Sequence, residues 1–483
     1  MSLKIFKNYL FNIVIVFTNI IFPMLLFPYA SRILTPQNFG KYSFANSISS
    51  YFIVIATLGI SSYGVREISN LKLKGADELK KGITELLLLT LISSVLAFIV
   101  FILSIYNLET FKIEKKLFLI FSLQILFSFL TLDYFFIAME EHKRRTIRVL
   151  IIKGLSLIFL FTFVKKTEDY NTFAAVIILP EIIAKFIDFL TIRKYFSLKG
   201  KLNVLKHLKA MLVIFIYLFS TTIYLNLDTT MLGILKTNIE VGYYAVAIKM
   251  TKIIIPLITS LGVVLTPGII KSISEKNQKK LFENIDYYID FIIAFTLPMI
   301  IILNFISKNL IYLFSGSDYL VAVLPMKIML PIILFISLSG LCAAQILIPS
   351  GKENKILNIS MVGLVLNISL NFLLIPKYSI VGAATATLIS EFLVCILRIN
   401  EVKKELKEYK VIKKYRYSYI YASLIIILIG VKLNRLILGL NEFIQIIILG
   451  TILTLVYINI LILLEDKYVK KLLKKVQKRR NYR

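Results

Sequence analysis

The sequence predicts an all-α polytopic membrane protein of about fourteen transmembrane helices, laid out as two facing repeats. Mean hydropathy is +0.81 and 58% of residues are hydrophobic, a load that a water-soluble chain of 483 residues could not carry without aggregating. Unbroken apolar runs of roughly 20 residues, the length a helix needs to cross about 30 Å of hydrocarbon, recur from end to end, whereas barrel strands would alternate apolar and polar residues. The third observation is an internal echo. The stretch 28–45, joining the first two runs, holds Gly40-Lys-Tyr-Ser-Phe-Ala45, and the stretch 235–247 holds Gly242-Tyr-Tyr-Ala-Val-Ala247. Both read Gly-x-Tyr-x-apolar-Ala, and one helix-turn-helix signature appearing in two halves implies two structural repeats.

Taken in order, the spans cover 8–31, 42–62, 83–106, 117–139, 149–164, 172–192, 210–234, 242–270, 286–314, 323–349, 356–374, 381–400, 417–433 and 441–464. The first follows Lys4 and Lys7 as a signal peptide would, but it is too long for an h-region and further spans follow, so it reads as a retained helix. Of 57 Lys and Arg residues, 40 fall in segments 1–7, 63–82, 140–148, 193–209, 271–284, 350–355, 398–416 and 465–483. Only 13 fall in the alternate segments, and Lys153, Lys185, Lys249 and Lys252 lie within spans. The positive-inside rule then puts both termini in the cytoplasm. A missed or extra helix would swap the sides downstream and blur this asymmetry, which holds to the end of the chain.

The net charge of +29 would suggest a nucleic-acid partner in a soluble protein. Here the charges follow the connections between spans, so no nucleic acid is expected. No connection exceeds about twenty residues, short of the roughly fifty a soluble domain needs, so the work of this chain is done within the bilayer. There is no Gly-x-x-x-x-Gly-Lys-Ser/Thr loop: Gly351-Lys352 lacks the earlier glycine, and no nucleotide or other cofactor is expected. Cys342 and Cys395 sit in apolar runs as small buried hydrophobes, and His142 and His207 lie in basic connections without the spacing of a zinc site. Pro23, Pro28, Pro180, Pro256, Pro267, Pro298, Pro325, Pro331 and Pro349 lie in or at the ends of spans, where kinks are common in transporter helices and also simply tolerated.

A charge at mid-bilayer costs on the order of 2.5–3.5 kcal/mol on insertion scales, so charges that persist there face a partner or a watery cavity. Arg32 ends the first span and Arg66 follows the second; Asp133 lies in the fourth and Asp228 in the seventh. Glu181, Lys185 and Asp188 share one face of the sixth span and read equally as a self-neutralising ion pair. Lys153, near a span boundary, reads as snorkelling to the headgroups. Lys249 and Lys252 lie deeper, at i, i+3 on one face with no acid in their own helix, and want an anion: either Asp228 on the preceding helix or a bound phosphate.

Several stretches resemble bacterial polysaccharide repeat-unit flippases of the Wzx type. They are Ser31-Arg-Ile-Leu-Thr-Pro-Gln-Asn-Phe-Gly-Lys-Tyr42, Leu58-Gly-Ile-Ser-Ser-Tyr-Gly-Val-Arg-Glu-Ile68, Leu132-Asp-Tyr-Phe-Phe-Ile-Ala-Met-Glu140, Val241-Gly-Tyr-Tyr244 through Lys249, and Gly382-Ala-Ala-Thr-Ala-Thr387. The pattern departs where the family usually places Trp beside the fourth-span aspartate; this chain has no Trp, and Tyr134 stands there. The resemblance implies the multidrug/oligosaccharidyl-lipid/polysaccharide exporter superfamily, with two six-helix lobes, a central cationic cavity and two extra C-terminal helices. On this chain the lobes would be 1–209 and 210–402, followed by a helix pair and basic tail over 403–483.

The implied substrate is an oligosaccharide on undecaprenyl diphosphate, flipped across the bacterial cytoplasmic membrane for O-antigen or capsule. Arg32, Arg66, Lys249 and Lys252 would contact the headgroup, and Asp133 or Asp228 would couple transport to an ion. A polysaccharide polymerase and a chain-length regulator would be its partners. Within the same superfamily, a peptidoglycan-precursor flippase and a cation-coupled drug exporter are the alternatives, the latter disfavoured by the basic cavity. A membrane glycosyltransferase or polymerase would need a larger extramembrane loop than the roughly ten residues of the longest outer connections. A non-transporting scaffold would leave the intramembrane lysines unexplained.

Overall fold

A computed structural model describes residues 3–197, 202–275, 277–406 and 417–466. The basic tail from 467 onward and much of the basic segment 398–416 therefore lie outside the described residues. Every regular element among the described residues is helical. Ten helices there are long and apolar enough to cross a membrane, eleven if the pair Ser317–Met329 and Ile332–Leu347, bent by 45°, counts as one. This count does not by itself return fourteen, but two of the ten each cover two predicted spans, and every predicted span falls on helix.

The chain divides into two compact units, Met1–Ala245 and Val246–Arg483. The first holds α1 (Leu3–Thr57), α2 (Ile60–Lys74), α3 (Ala76–Asn107), α4 (Glu109–Lys112), α5 (Lys115–Leu126), α6 (Asp133–Ala138), α7 (His142–Phe163), α8 (Tyr170–Ile192), α9 (Leu208–Leu235) and most of α10 (Asn238–Lys252). The second unit holds α11 (Ile255–Ser274), α12 (Gln278–Ser315), α13 (Val323–Met329), α14 (Ile332–Leu341), α15 (Glu353–Glu405), α16 (Tyr417–Leu436) and α17 (Glu442–Leu463).

The predicted connections at 32–41 and 375–380 are kinks in long helices rather than loops. α1 departs from helical backbone at Thr35 (φ 61°), which precedes Pro36, and the pyrrolidine ring disfavours helical geometry in the residue before it. α15 departs at Ser379 (φ 49°), three residues after Pro376. The predicted loop 63–82 is mostly helix: α2 is the amphipathic continuation of the second span, entered through Leu58 (φ 47°) and Gly59 (φ 76°), where a left-handed backbone favours glycine. The fourth span is also broken, by a 3₁₀ turn at Phe127–Leu130 that ends just before α6.

The two Gly-x-Tyr motifs pack on each other. A Cβ on Gly40 would fall 1.6 Å from the Asn238 carbonyl oxygen, and one on Gly242 would fall 2.0 Å from the Pro36 carbonyl oxygen. Only hydrogen fits at either place, so the second half of α1 and the start of α10 meet backbone to backbone, as small residues permit in membrane helices. Next to them, Gly233 of α9 receives the Phe44 ring, and the Tyr51 hydroxyl is hydrogen-bonded to Thr230 at 2.8 Å. The turn into α10 carries one of the two bonds of a capping box: the Thr237 backbone N–H donates to the Glu240 carboxylate, which also takes the Thr237 hydroxyl proton.

In the second unit the C-terminal pair α16–α17 packs along α12. Gly430 abuts the Phe305 ring, Asn309 donates to Gln445 at 2.7 Å, and Ser418 donates to Asp466 at 2.9 Å. The segment Cys342–Leu347 is π-helical, and Thr266 of α11 donates to its Gln345 at 2.5 Å. Cys342 and Cys395 are both buried free thiols.

Gly40→Ala is expected to destabilise the folded protein by about 1–3 kcal/mol, because overpacking forces backbone apart, and so to lower its unfolding temperature in detergent. Gly154→Ala, whose Cβ would meet nothing within 4 Å, is the control. Equal unfolding temperatures for the two variants would show that the motifs do not hold each other.

Candidate functional site

The densest group of intramembrane charges lies where α6, α7 and α8 meet. Arg148 of α7 donates to Asp133, the first residue of α6, and forms an ion pair with Asp188 of α8. Arg145, one turn earlier, approaches Asp133 at 3.5 Å. Asp188 is 3% exposed. A carboxylate so buried is tolerated only when paired, and here the cation comes from the neighbouring helix. The expected self-neutralisation of Glu181, Lys185 and Asp188 is thus replaced, for Asp188, by Arg148. Glu181 accepts a hydrogen bond from Gln124 of α5 at 3.4 Å. A cavity of 210 Å³ runs among these groups, lined by Asp133, Arg148, Lys153, Glu181, Lys185 and Asp188. Lys153 does not simply snorkel: its ammonium donates to Asn19 of α1 at 2.5 Å and sits 5.0 Å from the centre of the Phe22 ring.

Arg66 belongs to a second network. Its guanidinium lies over the Tyr63 ring, 5.6 Å from the centroid, with its head exposed. The Tyr63 hydroxyl is hydrogen-bonded to His207 Nδ1 at 2.8 Å, and His207 Nε2 to the Glu85 carboxylate at 3.2 Å. Glu85 has no exposed surface and also takes the Lys206 ammonium at 2.5 Å and the Asn203 N–H at 2.7 Å. A carboxylate held by an ammonium can only accept, so the His207 proton faces Glu85 and the Tyr63 hydroxyl donates to Nδ1. His207, in a basic connection by sequence, is buried and ties α2 and α3 to the 3₁₀ turn Val204–His207. α2 reaches α6 through Gly64, where a Cβ would fall 2.6 Å from the Tyr134 ring. That contact places Arg66 and Asp133 on adjoining elements.

Asp228 of α9 is 5% exposed and accepts the Tyr244 hydroxyl of α10 at 2.6 Å. Tyr244 is the tyrosine of the second Gly-x-Tyr motif; its counterpart, Tyr42, packs edge-on to Phe173 with centroids 4.5 Å apart. Arg32 is exposed on α1, one turn before the Thr35 kink. Lys249 and Lys252 lie at the C-terminal end of α10, the first exposed and the second half-buried. The geometry therefore brings Asp133 together with two guanidinium groups that the sequence reading had assigned to a cytoplasmic connection. A signal was present: three acids in spans four and six against one lysine, with Arg145 and Arg148 in the intervening segment.

A family model described as polysaccharide biosynthesis protein matches residues 5–272, and one described as MatE matches residues 214–373. The chain is 22% identical over 404 residues to a putative O-antigen transporter of Shigella dysenteriae, covering 82% of this chain and 100% of that protein. It is 28% identical over 375 residues to the capsular polysaccharide biosynthesis protein CapF of Staphylococcus aureus, covering 76% of this chain and 91% of that one. Among solved structures, the lipid II flippase MurJ in an inward closed conformation superposes with a TM-score of 0.72 at 19% identity, covering 96% of this chain and 100% of that chain. An inward-facing multidrug resistance MATE family transporter superposes with a TM-score of 0.62 at 13% identity, covering 80% and 94%. At such identities these two likenesses speak to the fold.

Arg148→Ala strands the buried Asp188, leaves Asp133 with Arg145 alone, and is expected to cost about 3–5 kcal/mol, the usual consequence of removing one partner of a buried pair. Replacing all three charges, Arg148→Met with Asp133→Asn and Asp188→Asn, should recover most of that loss. Thermal unfolding of the purified variants measures both, and a triple variant no more stable than Arg148→Ala would refute the shared-cation account.

Proposed function

The chain belongs to the polysaccharide biosynthesis protein family, and we propose that it is a flippase carrying undecaprenyl-diphosphate-linked oligosaccharide repeat units across the bacterial cytoplasmic membrane. The observation that carries this reading is family membership joined to a wholly helical, membrane-spanning fold like that of MurJ and the MATE transporters. The names of the relatives in O-antigen transport and capsule synthesis point the same way. Sugars and a diphosphate cannot cross hydrocarbon unaided. A protein that moves them must replace the water around the phosphates with fixed cations while the polyprenyl tail stays in lipid.

In this reading Arg32, Arg66, Lys249 and Lys252 supply those cations. Arg66 is suited to it because it is exposed and its guanidinium is held over the Tyr63 ring. The lobes 1–209 and 210–402 rock about the substrate, and the pair that begins after 403 flanks the second lobe. The energy comes from an ion gradient or from the substrate gradient. Of the two acids named for coupling, Asp133 is committed to Arg148 and Arg145, so a coupling ion there must first displace a guanidinium. Asp228, bonded to the Tyr244 hydroxyl, is the better coupling acid. Both termini face the cytoplasm, and the polymerase and chain-length regulator of the same pathway receive the product.

Cells lacking this protein are expected to accumulate intact lipid-linked repeat units on the cytoplasmic face, measured by extracting the lipid-linked pool and assaying its sidedness. A pool that stops at an earlier sugar, or reaches the outer face unpolymerised, would make the protein an enzyme of the pathway instead. With the flippase reading upheld, neutralising Lys249 and Lys252 together should reduce the outer-face product by at least about tenfold, since each charge-assisted hydrogen bond is worth roughly 1.5–3 kcal/mol. Unchanged transport would remove both residues from the site.

A further inference from the structure

We propose that the cleft between α7 and α8 binds an anionic phospholipid from the leaflet on the Lys/Arg-rich side of the membrane. It has a volume of 690 Å³, and its walls are Ile147, Ile151, Leu155 and Phe159 of α7 facing Ile183 and Ile187 of α8. These six side chains are between 37% and 58% exposed, which in a pair of membrane-spanning helices means contact with hydrocarbon. From Ile147 to Phe159 the helix rises about 18 Å. One leaflet of hydrocarbon is about 15 Å deep, half of the usual bilayer core. The wall therefore fits an acyl chain that begins at the interface and ends near the midplane.

The mouth supplies the second half of the argument. Lys143 and Arg144 stand there, and neither forms an ion pair among the described residues, although Glu141 also lines the mouth. Arg144 is steadied by a hydrogen bond to Thr191 of α8 and by the Phe136 ring, 5.5 Å from its guanidinium. It bridges the two helices with donors to spare. A lipid phosphate placed there would meet one ammonium and one guanidinium, the arrangement by which basic pockets between membrane helices hold anionic headgroups. A zwitterionic headgroup would bring a cation of its own into the same place. Arg148 lines both this cleft and the 210 Å³ cavity beside it, so an anion at the mouth also acts on the guanidinium shared by Asp133 and Asp188. The site would give the composition of the bilayer a hold on that network, whatever the transported substrate is.

The test uses the purified full-length protein, equilibrated with vesicles of equal phosphatidylglycerol and phosphatidylcholine and examined by native mass spectrometry. Retained lipid is expected to be phosphatidylglycerol over phosphatidylcholine by roughly tenfold or more, since each basic residue near a membrane surface adds several-fold to the attraction of an anionic lipid. Lys143→Ala with Arg144→Ala should abolish that preference. Ile151→Trp, which fills the cleft and leaves the mouth intact, should remove the retained lipid of both kinds while the protein still elutes as a single folded species. Equal retention of the two lipids by the unaltered protein would overturn the proposal, as would a preference that survives both variants. Displacement of phosphatidylglycerol by an equal amount of undecaprenyl phosphate would assign the cleft to the polyprenyl lipid and overturn it as well. A transport-deficient Lys249 variant should keep the preference, so this result and that of the flippase assay fail separately.

Discussion

The contact on which the first unit depends is the approach of two backbones at Gly40 and Gly242. Within a bilayer, helices gain nothing from hiding apolar surface, because lipid is as apolar as leucine; they associate where close packing and local hydrogen bonds beat contact with lipid. Gly40 lies against the Asn238 carbonyl and Gly242 against the Pro36 carbonyl, so each motif is the surface on which the other rests. Side chains that follow the glycines inherit their positions from this. Phe44 reaches Gly233, and Tyr244 reaches Asp228. A sequence feature that first looks like mere repetition is therefore a reciprocal constraint, and it sets how α1, α9 and α10 are stacked.

A second constraint is electrostatic and lies elsewhere in the same unit. Arg148 serves two carboxylates, on α6 and on α8. A lysine would offer a point charge to one of them; the planar fork of arginine can address both. The short helix α6 depends on this as well, because it follows a 3₁₀ turn and two irregular residues and has its acid at its first position. Arg66 is placed by different means, on the ring of Tyr63 and above the buried His207–Glu85 pair. The two arginines thus differ in kind. Arg66 is an exposed residue whose guanidinium is held over a ring, whereas Arg148 is a structural hub that borders two cavities.

The all-helical membrane fold was legible in the sequence because hydropathy and charge asymmetry are properties of whole segments and survive local error. Helical spans appear where they were read, down to the C-terminal pair. What could not be read was how a span breaks. Thr35 and Ser379 bend long helices where a loop was expected, since proline chemistry marks that the chain must turn but not whether hydrogen bonding resumes beyond it. The individual charges were legible as anomalies, yet their partners were not. By sequence, Glu181, Lys185 and Asp188 read equally as a self-neutralising set or as charges with outside partners; Asp188 pairs with Arg148, which the span boundaries place in a connection. Pairing across helices depends on rotation about helix axes, which one sequence does not specify. The role of His207 was hidden for the same reason: a basic connection does not show in sequence that Glu85 and Tyr63 enclose its histidine.

The irregular backbone is where these separate constraints converge. The 3₁₀ turn at Phe127–Leu130, the kinks at Thr35 and Ser379 and the π-helical turn at Cys342–Leu347 each free backbone groups that lipid cannot satisfy. Such breaks persist only where protein or cavity water takes up the freed groups, and three of the four have polar side chains beside them. Asp133 follows the 3₁₀ turn, Asn38 donates to the Thr167 carbonyl just past Thr35, and Gln345 within the π-helix accepts from Thr266. A rigid stack of regular helices would need none of this. In the flippase reading proposed above, these breaks are the places where the hydrogen-bond ladder is already open and where a helix bends at least cost.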